Sequence, residues 1–104
     1  MGFELDEGCK TYYVHEEDRR AMNKIVAKDS LRVTSQKHYR GREVTHSVTI
    51  KKDFITGIDV ADALVKCECI LRKQTWADPD HCFFEGFLGA RPGAEELICY
   101  RWGS

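Results

Sequence analysis

The sequence predicts an α+β fold: one small domain with an antiparallel sheet of four to five strands and two helices on one face. Three observations carry this. Residues 31–51 alternate apolar and polar side chains about an Arg-Gly pair, as a β-hairpin does. Residues 59–73 repeat apolar side chains at helical spacing. Short segments rich in aromatic and β-branched residues precede and follow them.

The first element is a short strand over residues 10–15, "KTYYVH". Residues 16–28, "EEDRRAMNKIVAK", predict a helix. Acidic residues lead, which suits the positive end of the helix dipole. Ala21, Met22, Ile25 and Val26 would form its narrow apolar stripe, and Glu16 would pair with Arg20.

The hairpin follows. If Arg40-Gly41 is a two-residue loop, Tyr39 pairs with Arg42 and the register follows by counting. Val33 then opposes Val48, Leu31 opposes Ile50, Lys37 opposes Val44 and Ser35 opposes His46. The other face pairs Arg32 with Thr49, Thr34 with Ser47, Gln36 with Thr45 and His38 with Glu43. One face is mostly apolar and the other wholly polar, and a one-residue slip would mix them.

Residues 59–73 predict the second helix, with Asp59 as its N-cap. Val60, Ala63, Leu64, Cys67, Ile70 and Leu71 share one arc, and Glu68–Arg72 is an i,i+4 pair. Residues 77–80 read as a loop. Two strands, 81–89 and 97–102, flank a type II turn at Pro92-Gly93. That turn sets Phe87 against Ile98, Glu85 against Tyr100 and Phe83 against Trp102. The order β-α-β-β-α-β, with one further strand, resembles the ferredoxin-like split βαβ arrangement, which implies a topology and no particular function.

Length and charge narrow the function classes. The 104 residues suffice for a single core, and no apolar run approaches the ~20 residues of a membrane span. The acidic start "MGFELDEGCK" is unlike a signal peptide, so the expected location is cytoplasmic. Met1-Gly2 and Gly103-Ser104 are residues a cloning vector can supply, and no functional argument rests on them. The net charge of −1 argues against a strongly nucleic-acid-binding domain. Yet residues 28–52 hold seven Lys/Arg against Asp29 and Glu43. Within that hairpin Arg32, His38, Arg40, Arg42 and Lys51 are the candidate nucleic-acid contacts, beside Tyr39 as a stacking ring.

Residues 66–82, "KCECILRKQTWADPDHC", concentrate cysteines, a histidine and aspartates. On a helix Cys67 and Cys69 diverge by about 200°, so they cannot share a metal. Neither C-x-x-C nor H-x₃₋₅-H spacing occurs, and no metal or cofactor is expected. Five cysteines without a secretory context read as reduced thiols. A catalytic reading would use His81 as an acid-base group oriented by Asp78 or Asp80. Nucleotide-binding, hydrolase-elbow and zincin motifs are all missing from the sequence.

The C-terminal strands suggest the leading function. In the register above, Phe83, Glu85, Phe87, Tyr100 and Trp102 share one face, while Phe84, Leu88, Leu97 and Cys99 share the other. Two short helices cannot cover both. The exposed aromatic face would serve a non-enzymatic interaction module, either through a homodimer or through a protein or small-ligand partner. Glu85 would be its polar anchor.

Overall fold

A computed structural model describes residues 2–6, 8, 10–76, 81–88, 93–100 and 102–103. The chain folds as a small α+β domain with two helices and two sheets. The strands are β1 (Phe3–Leu5), β2 (Tyr12–Val14), β3 (Ile25–Tyr39), β4 (Arg42–Thr56), β5 (Phe83–Phe84), β6 (Glu96–Cys99) and β7 (Trp102–Gly103). The helices are α1 (Arg19–Met22), entered through a 3₁₀ turn at Glu16–Asp18, and α2 (Gly57–Gln74). One sheet runs β2-β1-β5-β7 and the other β4-β3-β6. The single sheet of ferredoxin-like order expected from the sequence is therefore replaced by two separate sheets.

The hairpin forms in the register its sequence dictates, from Tyr39 opposite Arg42 back to Leu31 opposite Ile50. Arg40 and Gly41 both have positive φ, 52° and 79°, as a type I′ turn requires. The ladder extends to Ile25 and Thr56, with irregularities between Ile25 and Ala27 and between Lys28 and Asp29. This extension overturns the helix expected over 16–28. Only its first part is helical, and Ile25 and Val26 enter β3 as exposed strand residues. Ile25 gains a cross-strand partner in Thr56 and Ala27 one in Ile55, with the irregularity falling at Val26, and β-branched residues suit such an extended backbone. Glu16 pairs with Arg19 at 3.2 Å, one position short of the expected partner.

α2 lies against β3 and β4. Thr56, not Asp59, is its N-cap. The Asp59 N–H donates to Thr56 Oγ1, and the Asp59 carboxylate accepts from the Thr56 N–H at 2.9 Å, a reciprocal capping box. The expected arc is buried at Val60, Ala63, Leu64, Cys67 and Leu71. Ile70 is the exception. It reaches solvent, and Glu68 and Arg72 are buried instead. One core joins both sheets to α2: Phe3 and Leu5 from β1, Leu31, Val33 and Ile55 from the hairpin, Leu64 from the helix and Trp102 from β7.

β1 was not expected from the sequence, although Phe3 is fully buried at the centre of an aromatic cluster. Its ring stacks on Phe84 at 4.8 Å and meets Tyr12 and Trp102 edge-on. The C-terminal strands also depart from expectation. β5 pairs with β7 through Phe83–Gly103 and Phe84–Trp102, and an isolated bridge joins Leu88 to Ile98. Each pair is shifted by one residue from the expected register. β6 turns away to pair in parallel with β3, Arg32 to Glu96 through Ser35 to Cys99. Gly93 has the positive φ of 78° that the expected turn needs, while Pro92 lies outside the described residues. Gly103, set aside above as vector-like, is part of β7.

Candidate functional site

The one-residue slip divides the expected aromatic face. Trp102 is only 7% exposed, packed edge-on to Phe3 and Phe84, and Phe87 lies half-buried against Phe84. Phe83 and Tyr100 face outward, Tyr100 at 54% exposure. Glu85 is exposed and lies close against Gly103. The five residues therefore do not share one surface. The slip sets Trp102 opposite Phe84 and so on the core side, while Phe87 reaches the Phe84 ring beyond the end of β5, past Gly86 at φ 120°.

His81 is exposed, and its backbone carbonyl accepts from Arg72 Nη2 at 2.7 Å. Asp78 and Asp80, its expected carboxylate partners, lie outside the described residues. Cys67 is buried and donates weakly to the Val33 carbonyl at 3.7 Å. Burial, with the Glu68 carboxylate second, pushes its thiol up to about 11, so it stays protonated at neutral pH. Cys69 and Cys82 are partly exposed and Cys99 is buried. Among the described residues, ligand-type side chains gather instead at His15, Glu17 and Asp18, with donor atoms within 4.8 Å of one another. This solvated corner went unnoticed in the sequence because "HEED" reads as an ordinary acidic helix start.

The basic hairpin residues do not form a continuous cationic stripe. Arg32 bonds to Ser47 and lies 3.8 Å from the Glu96 carboxylate. His38 sits opposite Glu43. Arg40 occupies the turn, 5.1 Å from the Tyr39 ring centroid. Arg42 and Lys51 are exposed near opposite ends of β4, with Thr45, Ser47 and Thr49 between them. Beneath the sheet, Glu68, 1% exposed, takes Arg72 Nε at 2.9 Å and Lys37 Nζ at 3.2 Å. That buried ionic cluster fastens α2 to β3, and Arg72 also lies over the Trp102 ring at 5.8 Å.

The open edge of β4 is the feature sequence reasoning passed over. Among the described residues β4 pairs with β3 alone, along a strand of 15 residues. A two-residue loop makes its flanking residues, Tyr39 and Arg42, a hydrogen-bonded pair. Alternation then fixes the rest. Arg42, Val44, His46, Val48 and Ile50 direct their backbone groups to β3. Glu43, Thr45, Ser47, Thr49 and Lys51 direct theirs outward. The ladder is regular from Arg42 to Lys52 and breaks beyond, where Asp53 has no cross-strand partner. The sequence carries part of this signal, because hairpin register and turn type decide which groups of β4 point away from β3; that β4 is the edge follows from β6 pairing with β3.

No protein-family model, curated protein or solved structure matches this chain. Among the described residues, no helix is long and apolar enough to cross a membrane.

Proposed function

We propose that this protein is a non-enzymatic interaction module that accepts an additional β-strand along β4. The carrying observation is the regular, open edge between Glu43 and Lys51, whose five outward N–H and C=O pairs match the spacing of an incoming strand. Native edges are usually blunted by proline, by a bulge or by being very short. This edge has none of these between the turn and Lys52; its charged outward residues, Glu43 and Lys51, stand at the two ends of the run and leave Thr45, Ser47 and Thr49 between them. The interaction role expected from the sequence is kept, and its surface moves from the C-terminal aromatic residues to the hairpin.

Ser47→Pro tests this reading. Proline at an outward-facing edge position leaves the β3 ladder intact and removes one N–H from the open side. A display library of short random peptides, panned against the wild-type protein, should yield extended binders that Ser47→Pro no longer retains. Binders held equally by both proteins, or no binders at all, would overturn strand addition, provided circular dichroism shows the variant folded.

A further inference from the structure

The strand that β4 accepts is, we infer, β4 of a second copy of this chain, antiparallel and centred on Ser47. This inference rests on the strand-addition reading and names its occupant. Two independent observations converge on the same centre.

The first is geometric. Two copies related by a two-fold axis perpendicular to the sheet pair residues of like parity, with outward-bonding positions facing each other. The regular part of β4 runs from Arg42 to Lys52, and its midpoint is Ser47. A dimer centred there uses the whole regular run. It stops at the turn on one side and at the irregularity around Asp53 on the other.

The second observation is the side-chain pattern. Centring on Ser47 sets Glu43 against Lys51 of the second copy, and Lys51 against its Glu43. Thr45 meets Thr49, and Ser47 meets itself. On the face toward α2, Val44 meets Ile50 and His46 meets Val48, all half-buried and still able to lose exposed surface. Shifting the centre to Val48 sets Glu43 against Asp53, and shifting it to His46 takes Lys51 past the strand into the turn. Only the Ser47 register places both charged residues of the outward set opposite unlike charge. Arg42 falls opposite Lys52, whose ammonium is held by Asp59 at 3.1 Å from both carboxylate oxygens. The product is one continuous six-stranded sheet, β6-β3-β4 followed by its symmetry mate.

Charge reversal reads this register directly. Sedimentation equilibrium over micromolar to millimolar protein should show a wild-type dimer. Glu43→Lys alone sets lysine against Lys51 twice, and Lys51→Glu alone sets glutamate against Glu43 twice. Each should weaken self-association on the order of tenfold. Mixing the two variants should restore a dimer that is selectively mixed, because each unlike pair is rebuilt across the interface. Ser47→Pro should be monomeric. A wild-type monomer at millimolar concentration, or a mixture no tighter than the separate variants, overturns the self-pairing. If peptides still bind in the panning experiment, strand addition itself survives that result. A dimer indifferent to Ser47→Pro overturns both.

Discussion

The hairpin and the C-terminal segment are both antiparallel pairings that the sequence predicts, yet only one forms in the predicted register. In the hairpin one face is mostly apolar and the other polar, so a one-residue slip would set Leu31 and Val33 on the face opposite Val48 and Ile50. The turn adds a second constraint, since positive φ at Arg40 and Gly41 fixes which residues close it. In the C-terminal segment both faces are apolar. Phe83, Phe87 and Trp102 compete with Phe84, Leu88 and Cys99 for the interior. The pattern there specifies a strand without specifying its register, and tertiary contacts decide it. Phe3, on a strand that the sequence did not announce, supplies the ring on which Phe84 and Trp102 pack.

The largest expected effect separates the two registers at Trp102 and Tyr100. The expected face would have made both of them surface residues. In the structure Trp102 is core and Tyr100 is not. Trp102→Ala should cost about 3–5 kcal/mol of unfolding free energy, and Tyr100→Ala less than about 0.5 kcal/mol. Urea unfolding of both variants at neutral pH measures the contrast, and equal losses would restore the unslipped register.

The second effect concerns the cluster that links the two regions. Glu68 receives Lys37 from the hairpin and Arg72 from α2, while Arg72 reaches the His81 carbonyl and the Trp102 ring on the C-terminal side. Removing the carboxylate with Glu68→Ala takes the buried anion away from both Arg72 and Lys37 and should cost about 3 kcal/mol. Glu68→Leu together with Arg72→Met should cost less than Glu68→Ala, because the two most buried charges leave together and Lys37, 17% exposed, can turn to water. Comparing single and double variants by urea denaturation distinguishes a buried ion pair from plain packing.

What was legible in the sequence follows the same physical division. The α2 arc could be read because five apolar positions recur at helical spacing and only one side of the helix is buried. Its cap was misassigned by three residues, since Thr56 and Asp59 are both good caps and the choice depends on where β4 ends. The helix over 16–28 failed because a local apolar stripe cannot reveal that β4 continues to Thr56 and offers Ile25 and Ala27 cross-strand partners. Of the site residues, the basic hairpin positions were placed correctly on their strands, but their acidic neighbour Glu96 arrives from β6, which no local pattern connects to β3. The open edge is a property of topology, and so it emerged only once β6 was seen to take the other side of β3.

A smaller effect tests the junction between β4 and α2. Thr56→Ala removes one half of the capping box and should cost about 1 kcal/mol. The pH dependence has a definite sign. The Thr56 backbone N–H, opposed in part by burial and assisted by Lys52, holds the Asp59 carboxyl below its ordinary range. The associated stability is fully present above the unfolded aspartate value near 3.9 and is lost as pH falls through the lower folded value. Asp59→Asn should therefore flatten the fall of the urea midpoint below about pH 4 relative to wild type. An unchanged acid limb would assign the acid loss to other carboxylates.

The smallest effect returns to the turn that fixes the hairpin. Arg40 is a non-glycine residue at φ 52°, a region that costs most side chains energy and asparagine less. Its guanidinium stacks on Tyr39 at 5.1 Å, an exposed contact that returns part of that cost. Arg40→Asn creates the favoured Asn-Gly type I′ pair. It should raise stability by about 0.5 kcal/mol if backbone preference outweighs the lost stacking. Arg40→Asn also removes one cation near Arg42 without touching the outward positions Glu43 to Lys51. The dimer should therefore keep its affinity while the fold gains stability. A weakened dimer would mean that the turn itself contributes to the interface, and the register centred on Ser47 would then have to reach two residues beyond Arg42, to Arg40.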